Sequence, residues 1–370
     1  MSKTKNHPDY ALFLATTALL VFGVLILAGI SANVSIKKFG NSTYYLFHQA
    51  LFGILPGLIL GVVCYKLNLN LFKKYAGIFI LLSLGLMVLV FVPGLGVGAG
   101  GASRWLNFKF FTVQPSEFLK LSFTIYLAAW LSKRSEKGTA KKRGKNWRVT
   151  FIPFLFIVGV IMLILNFQKD LGTLIVIIAS AFITYFSAGT PLWQNVIMFF
   201  SGAGLLYVFI IIFNYRINRI RVLFDPLVDP MGIGYQLKQA FIAIGSGGIF
   251  GLGLGMASNK IPQPISDSIF VAIAEELGFF GSLLLILFFL FFAWRGFKIA
   301  KNNSDRFSKL FAVGATSWIT AQAFVNIGAL IGIIPLTGIP LPFISYGGTH
   351  IITELAAMGI MLNISKNSRA

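Results

Sequence analysis

Residues 266–294 read SDSIFVAIAEELGFFGSLLLILFFLFFAW. From Ile269 to Trp294 the run is long enough to cross a bilayer, since about 20 apolar residues span the hydrocarbon core. Three carboxylates, Asp267, Glu275 and Glu276, nevertheless crowd its head, in a chain with only 11 Asp and Glu among 370 residues. Ionisable groups at membrane depth are costly and mark functional sites by default. The bland alternative is an ion pair that joins two helices.

The rest of the chain has the same character. It is 56% apolar and 11% charged, with a mean hydropathy of +0.82; a soluble domain carries about 25% charged residues. Further spans read at 11–31, 46–65, 75–93, 114–132, 150–168, 171–189, 193–213, 309–332 and 347–364. The expected fold class is all-α, a polytopic integral membrane protein of about ten transmembrane helices. One domain covers 1–370, with a long outer loop, 214–268, between helices 7 and 8.

The net charge of +20 invites a nucleic-acid reading, but its distribution argues against one. With ten spans, 20 Lys and Arg fall on the side that holds both termini and the basic run 133–148, against 9 on the other side. The positive-inside rule puts that richer side, with the N- and C-termini, in the cytoplasm. The run SKRSEKGTAKKRGKNWR is then a topology anchor beside anionic lipid. Lys3 and Lys5 precede a full-length apolar span without a small-residue cleavage site, so the N-terminus reads as an uncleaved first helix. Cys64 is the only cysteine, which excludes disulfides within the chain, and His7, His48 and His350 have no metal-ligand spacing.

Only Asp9, Glu136 and Asp305 fall in inner segments; the other carboxylates lie in outer loops or spans. The outer segment 94–113, GLGVGAGGASRWLNFKFFTV, contains G-x-G-x-x-G at Gly96, Gly98 and Gly101, but without a βαβ unit a dinucleotide reading fails. Flexible backbone around Arg104 is the expectation there. Pro115 suits a first helical turn, and Glu117 and Lys120 follow as i and i+3 on one face, able to pair inside the bundle. Asp170 in FQKDLGT fits either a helix cap or a ligand contact. In 214–268, Arg216, Arg219 and Arg221 stand against Asp225 and Asp229, and the glycine-rich QAFIAIGSGGIFGLGLG reads as a re-entrant or surface-lying segment at membrane depth.

These blocks carry a family resemblance. RWLNF…QPSEFLKL, QKDLGT, RIRVLFDPLVDPMGIGYQLKQAFIAIGSGG, SDSIFVAIAEELGFFG and NIGALIGIIPLTGIPLPFISYGG occur in the order and spacing of the SEDS family (shape, elongation, division and sporulation). The chain resembles that family over nearly its full length, and GIFGLGLGMASNK is more similar to the cell-division branch (FtsW) than to the elongation branch (RodA). The resemblance implies ten spans and a glycosyltransferase that polymerises lipid II into glycan strands at the outer face of the bacterial cytoplasmic membrane. It also implies work beside a class B penicillin-binding protein and other division proteins. Carried over by motif, the essential loop aspartate is Asp267, and Arg104, Glu117, Lys120 and Asp170 are highlighted. The chain departs from the family at Lys169, where proline is usual, at Ser268, where an aromatic is common, and at GGTH, which replaces Gly-Gly-Ser-Ser and brings in His350.

The reaction gives these residues roles. A sugar hydroxyl attacking an anomeric carbon needs a general base, for which Asp267 is the candidate. A lipid pyrophosphate leaving group needs cations, and Arg104, Lys120, Arg219 and Arg221 are the candidates, with Asp170 beside them. Glu275 and Glu276 read as supporting residues that pair with a base or line a polar cavity, and Glu117 as the partner of Lys120. Asp267 and Glu275, eight residues apart, would lie roughly 12 Å apart on a helix, too far for a glycosidase pair. No cofactor is fixed by the sequence; carboxylate and pyrophosphate together could recruit a hard ion such as Mg²⁺ or Mn²⁺, without a visible ligand cluster. A lipid II flippase and a non-catalytic division scaffold are the alternatives. The flippase needs a polar path across the whole membrane, whereas the polar residues within spans cluster near the outer ends.

Overall fold

The structure, a computed structural model, describes residues 7–99, 102–108, 111–136, 147–212, 214–229, 231–257 and 261–366. Most of the basic run 133–148 therefore lies outside the described residues. The helices are α1 (Tyr10–Phe39), α2 (Tyr44–Gln49), α3 (Leu55–Lys66), α4 (Leu69–Leu89), α5 (Pro115–Glu136), α6 (Trp147–Phe167) and α7 (Leu171–Ser187). They continue as α8 (Leu192–Ile212), α9 (Asn214–Phe224), α10 (Ile233–Gly247), α11 (Ile269–Asn302), α12 (Arg306–Leu330) and α13 (Gly348–Lys366). A π-helical stretch, Ala50–Ile54, joins α2 to α3 so that the two run as one.

Among the described residues, six helical stretches are long and apolar enough to cross a membrane: Tyr10–Ala32, Tyr44–Lys66, Leu69–Leu89, Thr150–Phe167, Ile269–Asn302 and Arg306–Leu330. The chain is an integral membrane protein. Helices α5, α7, α8 and α13 lie over the other four segments read as spans.

Helix α12 is the hub. Phe311, Ala315, Trp318, Ile319, Gln322 and Ala323 are at most 1% exposed, so this helix meets protein on nearly every side. Helix α13 lies along α3 at glycine contacts: a Cβ on Gly359 would come within 2.1 Å of the Gly61 carbonyl. Small residues let membrane helices approach this closely, where packing rather than hydrophobic transfer holds them together. At the end where α1 starts, Asp9 caps that helix through the Leu12 amide at 3.0 Å and pairs with Arg295. Its own amide donates to Ser365 Oγ at 2.9 Å, so one residue clasps α1, α11 and α13.

Three expectations change. The all-α reading misses an antiparallel sheet of β1 (Gly96–Ala99), β2 (Ala102–Asn107) and β3 (Thr112–Val113). Val97 pairs with Trp105 and Leu106 with Val113, so Arg104 stands on a paired strand rather than on flexible backbone. A register shift between Val97 and Gly98 bends the sheet over the bundle, as bulges do. The segment 214–268, read as a long outer loop, is largely helical, with α9, a 3₁₀ turn at Pro226–Val228, and α10.

The glycines after α10 fit a break in α11. Gly278 has φ 66° and ψ −161°, which interrupts that helix and frees the carbonyls of Glu275 and Glu276. Leu252 and Gly253 donate to those carbonyls at 3.0 Å each, and Phe279 donates to Gly248 at 2.9 Å. A Cβ on Gly251 would fall 2.1 Å from the Glu276 carbonyl, so only glycine permits this backbone-to-backbone seam.

Candidate active site

Asp267 sits in the turn just before α11, clamped on both flanks. The Asn326 amide donates to its carbonyl at 2.8 Å and to the Ile339 carbonyl at 2.7 Å. Ser345 Oγ donates to the Ser266 carbonyl at 2.7 Å, and the Tyr346 amide to Ile265 at 2.8 Å. Gln236 of α10 reaches Ser268 Oγ at 3.1 Å. The backbone is thereby fixed from α10, α12 and the segment before α13. Burial pushes the Asp267 carboxyl up to about 6; Arg104 pulls it down, Asp170 pushes it up, and His350 and Arg219 pull it down. A carboxyl poised there is ionised at neutral pH yet basic enough to take a proton.

The groups around it come from several elements. Arg104 projects from β2 and donates through Nε to the Gln168 carbonyl at 3.3 Å and through Nη2 to that of Lys169. Lys169 adopts φ +56°, a left-handed turn that presents both carbonyls to the arginine. A proline ring fixes φ near −65°, so the residue usual in the family does not fit this backbone. Asp170 caps α7 through the Thr173 amide at 3.2 Å, and its charge also reaches Asp267. Arg219 donates to the Leu336 carbonyl.

Arg221 does not join the cluster. It is two residues from Arg219, about 200° around a helix, and is exposed. Arg216, passed over as a candidate, is 1% exposed and donates to Asn166 Oδ1 at 2.6 Å.

Lys120 also leaves the list of free cations. Its ammonium lies 2.7 Å from Glu117 Oε2, donates to Gln322 Oε1, and sits 5.3 Å from the Trp318 ring centroid. The i, i+3 pairing expected of Glu117 and Lys120 is present, at 1% and 3% exposure. Across from it, in the first two turns of α13, His350 and Glu354 are buried as well, and their i, i+4 spacing is the signal in the sequence that pairs them. Glu276 takes the amides of Gly255 and Ala257 at 3.0 and 3.3 Å, so the segment beyond the helix break, rather than a basic side chain, holds it. Glu275 faces the same region, with Ser246 Oγ at 3.5 Å.

Beside this cluster is a cavity of about 750 Å³. Phe52, Phe111, Phe118 and Ile352 give it an apolar wall, with Lys38, His48 and Tyr346 as its polar features. Strand alternation divides the two compartments: Trp105 lines the cavity while its neighbour Arg104 faces Gln168 and Lys169. Likewise Ser266 lines the cavity and Asp267 looks toward the charges. Among the described residues, no three His, Cys, Asp or Glu side chains are gathered so as to hold a metal ion.

The chain as a whole is similar to known proteins. The model of the cell cycle protein family FTSW_RODA_SPOVE matches residues 10–370. The chain belongs to this family. Stage V sporulation protein E of Bacillus subtilis is 36% identical to it, covering 100% of both chains. The probable peptidoglycan glycosyltransferase FtsW of Geobacter metallireducens is 35% identical, covering 96% of this chain and 94% of its own. Among solved structures, the Thermus thermophilus rod shape determining protein RodA matches with a TM-score of 0.70 at 25% identity, over 98% of each chain. A chain of a peptidoglycan synthase complex, described as coordinating polymerization and crosslinking, matches with a TM-score of 0.79 at 25% identity, over 97% of each.

Proposed function

We propose that this protein is a peptidoglycan glycosyltransferase of cell division that polymerises lipid II at the outer face of the bacterial cytoplasmic membrane. The observation that carries the reading is Asp267, clamped by Asn326 and poised near 6, between a cluster containing Arg104 and Arg219 and an apolar cavity. The naming of full-length relatives as glycosyltransferases supports it.

In the reaction, Asp267 takes the proton of an acceptor sugar hydroxyl as that oxygen bonds to the donor's anomeric carbon. The bond from that carbon to the lipid pyrophosphate breaks with inversion, and the charge gathers on phosphate oxygens. Arg104 and Arg219 stand to receive it, each oriented by carbonyls behind it. The cavity takes polyprenyl chain from one of the two lipid-linked substrates, since its walls come from helices that face hydrocarbon. Lys120 and Glu117 act as a buried strut behind the site. No step needs a metal held by protein ligands.

The partner is a class B penicillin-binding protein, which crosslinks the strands made here. Both termini face the cytoplasm, in keeping with 20 basic residues on that side against 9 outside. The test is purified protein with lipid II and its products separated on a gel. Parent protein should yield glycan polymer, and Asp267→Asn about 10²–10⁴-fold less. Parent-level polymer from a well-folded Asp267→Asn variant removes Asp267 as the base. No polymer from parent protein, alone or with its transpeptidase, leaves transport or scaffolding as the function.

A further inference from the structure

The buried charges behind the site do not balance unless one more proton is present. Glu117, Lys120, His350 and Glu354 are all at most 4% exposed, and Glu117 is electrostatically coupled to the other three. Two carboxylates face one ammonium. Uncompensated charge is strongly disfavoured in such an interior.

Hydrogen-bond chemistry locates the missing proton. His350 Nε2 lies 3.0 Å from the Ser345 carbonyl, which can only accept, so Nε2 carries hydrogen. His350 Nδ1 lies 3.4 Å from Glu354 Oε1. Glu354 Oε2 is already taken by the Phe343 amide at 2.8 Å, whereas Oε1 and His350 Nδ1 are both buried without a hydrogen-bond partner and face each other as an ion pair. An imidazole protonated only at Nε2 would turn a lone pair toward a carboxylate. A proton between Nδ1 and Oε1 brings the four groups to zero, and the greater basicity of an imidazole than of a carboxylate puts it on the ring.

We propose that His350 is a positioning residue for glycan formation, held by Glu354 as an imidazolium that pins the Ser345 carbonyl and places a fixed positive charge behind Asp267. This rests on the reading of Asp267 as the base. The mechanical link is short: Ser345, gripped by His350, donates its hydroxyl to the carbonyl of Ser266. The electrostatic link is direct, because His350 is among the groups that pull the Asp267 carboxyl down. The charged groups facing His350 are Glu354 on its own helix, Glu117 with Lys120 on α5, and Asp267 in the turn before α11. The histidine stands where the family pattern has serine, so this charge is a feature of this chain.

His350→Gln separates charge from shape, since the glutamine amide can still donate to Ser345. Polymerisation by parent and variant is measured against pH, with melting followed in parallel. The acid limb should move to higher pH by about half a unit or more in the variant, with the rate on the plateau within a few-fold. An unmoved limb in folded variant overturns the proposal. If the variant does not fold, ring-¹⁵N-histidine spectra of the parent protein decide, assigned with His7→Asn and His48→Asn. An imidazolium signature for His350 at neutral pH supports the proposal and a neutral ring overturns it. Those spectra do not depend on activity, so a failure of the Asp267 reading in the Asp267→Asn assay is told apart from a failure here.

Discussion

Asn326 holds Asp267 by its backbone: one side-chain amide nitrogen donates to the carbonyls of Asp267 and Ile339 at 2.8 and 2.7 Å. The carboxyl itself is left unencumbered, as a group that must accept and release a proton requires. Two stretches far apart in the chain are thereby set from the middle of the most buried helix.

Replacing Asn326 with alanine strands two carbonyls where water hardly reaches. A loss of about 1–3 kcal/mol is expected, together with a fall in kcat larger than any rise in KM, because the base is misplaced while the substrate contacts remain. Kinetics with lipid II and thermal melting check both parts. Unchanged kcat would show that Asp267 is positioned without this amide.

The ionisation of Asp267 sets two pH dependences. Its value rises from 3.8 unfolded to about 6 folded, so the folded state binds the proton more tightly. Stability is therefore fullest below about pH 4 and declines as pH rises through 6, by about 1–3 kcal/mol after allowance for solvent. Asp267→Asn should melt higher than parent protein at pH 8 and equally at pH 4. Polymerisation runs the other way, falling as pH drops through 6 and the base becomes protonated.

Glu117 and Lys120 should depend on each other. Glu117→Gln leaves a buried ammonium without its carboxylate and should cost about 3–5 kcal/mol. The double change Glu117→Gln with Lys120→Met removes both charges and should recover much of that loss. A double-mutant cycle on melting measures the coupling, and additive losses would contradict the pairing.

Lys169 should tolerate glycine and reject proline. The amide of Lys169 donates to Asn166 at 3.0 Å and its φ is +56°; proline removes the donor and forbids the angle. Lys169→Pro should cost about 3 kcal/mol and reduce polymerisation by displacing the carbonyls that orient Arg104. Lys169→Gly should stay close to parent in melting and rate.

Orientation can be read by labelling intact cells with an impermeant thiol reagent, in a background lacking Cys64. A cysteine at Met231, 94% exposed in the outer segment, should react, whereas one at Lys301 should not. The reverse pattern inverts the topology.

Much of this was legible in the sequence, because membrane helices are written in plain apolar runs and buried charges stand out against them. Asp267, Arg104 and Asp170 come together around one turn, and the Glu117–Lys120 pair follows from i, i+3 spacing. What escaped depends on distant partners. Arg219 and Arg221 look equivalent as letters, and helix phase separates them. Lys120 looks like a free cation until Gln322, some 200 residues away, claims it. The glycines at 247–255 read as a re-entrant or surface-lying segment because their use, a seam against the Gly278 break, lies in another segment. His350 and Glu354 carry no recognisable motif beyond their i, i+4 spacing.

The clasp at Asp9 also imposes an order of assembly. Its amide finds Ser365 at a sequence separation of 356, and Gln49 finds the Ser345 carbonyl at a separation of 296. At synthesis rates of about 5–20 residues per second, each partner waits in the membrane for tens of seconds. During that time α3 faces lipid with its glycines uncovered, and the cavity lacks the side that Tyr346 and Ile352 supply. A ribosome that stalls before residue 345 leaves an inserted chain with no working centre, so glycan synthesis cannot begin on an unfinished molecule.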